Sequence, residues 1–241
     1  MSVLTVSGVT KSFGGFTAVR DLSLTVVRGE MRGLIGSNGA GKSTLLHLIY
    51  GRITPDRGSI QFGGKDVTVL PVTARARMGM GLVFQVTSVF DGLTVEENLL
   101  LGALPKGEPR PPLDRAAVER VTQLLELDPV SHRFAGNLSH GEKRWLEIGM
   151  VLLTAPSLLL LDEPTSGMTQ AESRRTAELL HQLRSEQAIE AVIVVEHNIE
   201  FIRLVTDRVT VMHRGSVLAD GPIEDVQNDA AVQASFLGRL H

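Results

Sequence analysis

The stretch GSNGAGKS, residues 36 to 43, constrains this chain more than any other, because it fits the spacing G-x-x-x-x-G-K-[ST]. MRGLIG (31–36) precedes it and reads as a short buried strand. GKSTLLHLIYG (41–51) follows and reads as a helix stopped by Gly51. A strand feeding a glycine-rich turn into a helix lets backbone N–H groups curl round an anion, and the helix N-terminus adds its dipole. The candidate phosphate-binding residues are therefore Gly36, Ser37, Asn38, Gly39, Ala40, Gly41, Lys42, Ser43 and Thr44. Lys42 is expected to reach the β- and γ-phosphates of a nucleotide, and the Ser43 hydroxyl to ligate Mg²⁺. The plain alternative is a glycine-rich turn with a chance Gly-Lys-Ser. The strand and helix on either side weigh against it.

A phosphate loop of this kind calls for an acidic residue at the end of a second strand. SLLLLDEP (157–164) supplies it: the leucines bury a strand, and Asp162 emerges at its carboxyl end, where open α/β sheets bind ligands. Asp162 is expected to hold Mg²⁺ through water, and Glu163 to orient and deprotonate an attacking water. AVIVVEH (191–197) gives a third strand end, with His197 placed to donate a hydrogen bond to a γ-phosphate. Gln85, after the strand-like GLVF, suits contact with a metal or a water. In isolation His197 would be a surface or capping residue and Gln85 a loop amide. The candidate catalytic set is thus Glu163, His197, Gln85 and Lys42, and the candidate metal set Ser43, Gln85 and Asp162.

Strand-like runs alternate with helical ones. LTVSGVTKSF and LSLTVVRGEM open the chain as strands, and GSIQFGGKDV (58–67) reads as a hairpin about Gly63-Gly64. From Thr94 to Thr154 the pattern is helical: VEENLLLGAL, a segment over 113–127, and GEKRWLEIGMVLL (141–153). PKGEPRPP (105–112) is a proline-rich connector. After SLLLLDEP come a helix (170–186), a strand (191–197), a helix in NIEFIRLV, and two strands joined at Arg214-Gly215. Short helices are expected over 222–240.

The expected fold class is α/β, a P-loop NTPase core with a mostly parallel sheet, an antiparallel β subdomain and an inserted helical subdomain. One domain spans 1–241, with a core of 1–86 and 157–241 and the helical part at about 87–156. A chain of 241 residues leaves no room for two large domains. A formal net charge of −3 supplies no basic field for nucleic acid. The absence of cysteine excludes disulfides and thiolate metal sites. Neither an export signal nor an apolar run long enough to span a bilayer is read.

NLSHGEKRW (137–145) sets Ser139 three residues before Glu142 ahead of an apolar run, which is a capping box. The adjacent Ser139 and His140 are not read as a catalytic pair, since a base must reach its nucleophile in space. Taken in order, GSNGAGKS, Gln85, LSHGE (138–142), LLLLDE (158–163) and His197 resemble the ATP-binding cassette family, the ATPase subunits of ABC transporters. They match its Walker A, Q-loop, signature, Walker B and switch histidine, and the likeness runs over essentially the whole chain. The resemblance implies ATP and Mg²⁺ as ligands and a head-to-tail dimer. In that dimer Ser139 and Gly141 face the γ-phosphate held by the other subunit, so cap and ligand readings are compatible. It also implies an aromatic stacking on adenine, a place taken by Phe13; the alternative is Phe13 as a core residue.

FGGFTAV (13–19), SGMT (166–169) and VVEHNIEFI (194–202) are similar to ATP-binding subunits of branched-chain amino acid importers. VFDGLTVEENL (89–99), LSHGEKRWLEIGM (138–150) and ASFLG (234–238) resemble their urea and short-amide branch, which favours a histidine at 140 and a tryptophan at 145. The departures from the wider family are His140 for a glycine, Glu142 for a glutamine and Thr169 for the D-loop aspartate. What this implies is an ATPase on the cytoplasmic face of the inner or plasma membrane. Its partners would be a second ATP-binding subunit, identical or a companion, transmembrane permease subunits contacted by the region after Gln85, and indirectly a substrate-binding protein; no nucleic acid is expected. The apolar residues after Gln85 read equally as core packing. Lipopolysaccharide export and a non-transport ATP switch are the alternatives.

Overall fold

A computed structural model describes residues 1–104, 113–186 and 188–234. The chain begins with β1 (Ser2–Phe13) and β2 (Phe16–Val27), then β3 (Met31–Gly36) and α1 (Lys42–Tyr50). β4 (Arg57–Phe62) and β5 (Lys65–Asp66) form the expected hairpin, followed by α2 (Val72–Arg77) and β6 (Met80–Val83). The helices α3 (Val95–Gly102), α4 (Arg115–Leu124) and α5 (His140–Leu152) come next. β7 (Leu158–Asp162), α6 (Gln170–Ser185), β8 (Ala191–Val195), α7 (Ile199–Val205), β9 (Arg208–His213), β10 (Ser216–Gly221), α8 (Ile223–Asn228) and α9 (Ala230–Val232) complete the described chain.

Two sheets result. β1, β2, β4 and β5 pair antiparallel in the order β2-β1-β4-β5. The larger sheet runs β10-β9-β3-β8-β7-β6, parallel from β9 to β6, with β10 antiparallel at one edge. β3, β6, β7 and β8 are buried along their whole length. That is why they read as unbroken apolar runs, whereas the antiparallel strands alternate. Within β7, Leu158 and Leu160 join α1 and the antiparallel sheet in one apolar cluster, while Leu159 and Leu161 join α3, α5, α6 and α7 in another. The α/β class expected from the sequence is the class observed.

The helix starts follow the sequence signals. Thr94, Ser139 and Thr169 each close a capping box, with Glu97, Glu142 and Glu172 respectively. Gly51 adopts the left-handed conformation that ends α1. The β9–β10 turn lies at Arg214 and Gly215, whose φ angles are 48° and 85°, as the primed turns of tight hairpins require. The connector 105–112 and most of ASFLG lie outside the described residues.

α2 was not foreseen. VTARAR shows no amphipathic stripe, because its buried residue is an arginine. Arg75 donates from Nη1 to the Leu48 and Ile49 carbonyls at 2.7 and 2.6 Å, and from Nη2 to Thr68 O at 3.0 Å. It thereby satisfies carbonyls at the end of α1 that a helix leaves without partners. Among the described residues no helix is long and apolar enough to cross a membrane.

Candidate functional site

The carboxyl ends of β3, β7 and β8 and the segment after β6 meet at a cleft of about 710 Å³. It is lined by Gly36 through Thr44, Gln85, Glu163 and His197. Four stretches singled out separately in the sequence therefore share one cavity, at the edge where a parallel sheet binds ligands.

The loop owes its shape to close packing. Gly41 has φ 102°, and a Cβ there would lie 2.3 Å from the Ala18 carbonyl oxygen; only glycine fits. Gly215 N donates to Ala40 O at 3.0 Å and Arg20 N donates to Gly215 O at 2.8 Å. Loop, β2 and the β9–β10 turn are thus tied together. Gly41 supplies no capping side chain to α1, which leaves the first-turn N–H groups suited to an anion. The Lys42 ammonium donates to Gly36 O at 2.8 Å and Ser37 O at 3.2 Å. Burial lowers its pKa, while the carboxylates of Glu163 and Asp162 pull the other way.

Ser43 Oγ donates to Asp162 Oδ1 at 3.4 Å. Burial pushes the Asp162 carboxyl above its ordinary range; the Ser43 bond opposes the shift and the neighbouring Glu163 adds to it. A buried carboxylate facing a hydroxyl at the mouth of a phosphate loop is a donor set that suits a hard divalent cation. Glu163 holds φ 48°, a left-handed conformation unusual outside glycine. The turn is pinned by Glu163 N donating to Val195 O at 2.9 Å. The Glu163 carboxylate accepts a hydrogen bond from Gln85 Nε2 at 2.9 Å and stands 3.9 Å from His197 Nδ1.

The remaining candidates lie elsewhere. Phe13 sits half exposed near the β1–β2 turn, paired across it with Phe16, and does not line the cleft. Core burial, the alternative weighed for Phe13, is not what the structure shows. Ser139 caps α5: its Oγ accepts from Glu142 N at 3.2 Å, and Glu142 accepts from Ser139 N at 2.7 Å. A Cβ at Gly141 would come within 2.2 Å of Glu172 Oε1, so a side chain there would push the Glu172 carboxylate aside. Thr169, in the place of the D-loop aspartate, caps α6 through its bonds with Glu172. His140 stands exposed at the first residue of α5, beside Gly167.

Several residues that shape the site were not singled out in the sequence. Arg144, buried on α5, donates to the carbonyls of Phe84 and Gln85, the latter at 2.6 Å, and to Glu147 at 2.9 Å. Glu147 in turn accepts from the backbone around Phe84 and Ser88. The segment carrying Gln85 is therefore clamped to the helix that Ser139 caps. The available signal was two opposite charges three apart inside an apolar helix. Glu196 is fully buried between the loops after β7 and β8; its signal was a charge ending an apolar run. Trp145, noted only as a branch marker, donates from Nε1 to Thr176 Oγ1 at 3.0 Å. Arg175 stacks on its ring at 4.3 Å and pairs with Glu126 at 2.8 Å. This ties α4, α5 and α6 together.

Residues 19–166 match the family model described as ABC transporter. The chain is 34% identical to the high-affinity branched-chain amino acid transport ATP-binding protein BraF of Pseudomonas aeruginosa, over 98% of each. It is 32% identical to the lipopolysaccharide export system ATP-binding protein LptB of Haemophilus influenzae, over 99% of this chain and 98% of that protein. Among solved structures it resembles the ADP conformation of an ATP-binding cassette of an ABC transporter, with TM-score 0.88 and 29% identity, over 99% of this chain and 100% of that one. With a phosphate loop, the acidic end of β7, Gln85 and a histidine converging on one cleft, the chain belongs to the ABC transporter family as an ATP-binding, ATP-hydrolysing subunit.

Proposed function

We propose that this ATPase powers uptake of urea or short amides, or of branched-chain amino acids, through a partner permease. The observation that carries the reading is a site in two pieces. Phosphate loop, Gln85, Glu163 and His197 line one cleft, while the α5 N-terminus with Ser139 and Gly141 lies outside it. A second copy or a companion subunit supplies that other half, its Ser139 and Gly141 meeting the γ-phosphate at a helix N-terminus. The segment of about 87–156 acts as a helical subdomain inserted into a core of 1–86 and 157–241, and carries this half-site.

In this reading Glu163 is the general base, held by Gln85 and beside His197. Lys42 and His197 stabilise the phosphoryl group by position and charge. Phe13 stacks on adenine. Ser43, Asp162 and Gln85 hold Mg²⁺, which when bound supplies charge neutralisation on the phosphates. The protein works at the cytoplasmic face of the membrane. The exposed Val86 and Phe90, just after Gln85, meet the permease, and a substrate-binding protein delivers the cargo. Similarity to BraF and the stretches LSHGEKRW and VVEHNIEFI support the importer reading; the comparable match to LptB supports lipopolysaccharide export as the second one.

The test is reconstitution with the permease and binding protein in vesicles, with urea, leucine and lipopolysaccharide compared. ATPase stimulation by loaded binding protein is expected. Glu163→Gln is expected to keep nucleotide binding and to slow turnover by about 10²–10⁴-fold. Stimulation by lipopolysaccharide alone would replace the importer reading with the export one.

A further inference from the structure

Glu196 is completely buried, yet no lysine or arginine among the described residues pairs with it. Hydrogen bonds compensate its charge instead. Oε1 accepts from Thr165 N at 3.0 Å and from the Thr165 hydroxyl. Oε2 accepts from His197 N at 3.0 Å and Asn198 N at 3.3 Å, and lies 3.6 Å from His197 Nδ1. Removing a carboxylate from water is expensive, and several donors aimed at both oxygens are what make the burial tolerable. The donors come from two loops. One follows β7 and leads from Glu163 through Thr165 to the α6 cap at Thr169. The other follows β8 and begins at His197.

We propose that Glu196 is a positioning residue for hydrolysis: a buried carboxylate that fixes the His197 loop against the Glu163 loop. This rests on the reading of Glu163 and His197 given above. The Glu163 carboxylate and the His197 ring are 3.9 Å apart but belong to different strand ends. The Glu163 N to Val195 O bond ties the two ends at one point. Glu196 adds ties to the backbone N–H groups of His197 and Asn198, so the backbone that carries the ring is held in place relative to Glu163. Both carboxylate oxygens are needed. A glutamine at 196 keeps one carbonyl oxygen and turns an NH₂ group towards backbone N–H donors, which cannot accept from it.

The experiment compares Glu196→Gln, Thr165→Val and Glu163→Gln by steady-state ATPase kinetics, nucleotide binding and NMR of the His197 ring. Thr165→Val deletes the hydroxyl donor and keeps the backbone one. Glu196→Gln is expected to lower kcat about ten-fold or more with KM for ATP and nucleotide affinity within about two-fold, the signature of lost transition-state positioning. Thr165→Val should lower kcat by a smaller factor in the same pattern. The His197 ring signals should shift or broaden in both. Should Glu196→Gln fail to fold, Thr165→Val decides alone. The proposal is overturned if the folded variants keep kcat within two-fold, or if kcat falls only with an equal loss of nucleotide affinity. Glu163→Gln separates the two levels. If it hydrolyses at the parent rate, the base assignment fails; if it is inactive while the other variants work normally, only the role of Glu196 fails.

Discussion

Asp162 carries a burial penalty that a bound divalent cation would offset. Burial raises its pKa in the folded state. Its stabilising contribution is therefore present below the unfolded carboxylate pKa and is lost as pH rises through the folded one. At neutral pH the group opposes folding. Asp162→Asn is accordingly expected to raise the ligand-free melting temperature at neutral pH, with the gain shrinking as pH falls through the carboxylate range, while stabilisation by ATP with Mg²⁺ diminishes. Thermal melts across pH check both; a lower melting temperature at neutral pH would contradict the burial argument. Such residues were legible because their chemistry is contiguous: a glycine-rich turn, or a polar residue closing an apolar strand. Arg144, Glu147 and Glu196 carry local marks, opposite charges three apart or a charge closing an apolar run, but those marks do not say what the residues do, since each takes its role from backbone groups on other elements. Glu142 could be read as a cap because capping partners sit three residues apart; the same spacing between Thr169 and Glu172 is in the sequence but was not singled out.

At the scale of elements, α3, α4 and α5 pack on each other closely enough for single methyl groups to matter. A Cβ at Gly102, the last residue of α3, would lie 2.6 Å from Met150 O and 2.7 Å from Met150 Cα. Backbone atoms of α5 cannot move aside as a side-chain tip could. Gly102→Ala is therefore expected to destabilise by about 1–3 kcal/mol through overpacking, against a helix-propensity gain of at most about 1 kcal/mol. Urea unfolding should show a lower midpoint with an unchanged slope. Strands and long helices were readable because burial on two faces or one leaves a periodic trace. α2 left none, as the side chain it buries is the guanidinium of Arg75, held by carbonyls of α1. Gln85 stands beyond the end of β6 and not within a strand, placed by Arg144 on α5, a long-range contact that no local pattern encodes.

For the whole molecule, the proposed sharing of the site with a second subunit would make turnover depend on encounter. Specific ATPase activity of the isolated chain is expected to rise with protein concentration. Ser139→Arg should remove that rise while leaving nucleotide binding by the single subunit intact; activity per molecule that is flat on dilution would count against a shared site. The union of loop, β2 and the distant β9–β10 turn carries a separate implication. A two-residue surface hairpin is where sequence variation is ordinarily absorbed without harm. Here Gly215 holds Ala40 from behind, so lengthening that hairpin by one residue would withdraw the buttress from under the nucleotide's cradle. The apparent periphery of the molecule is in this respect part of its engine block.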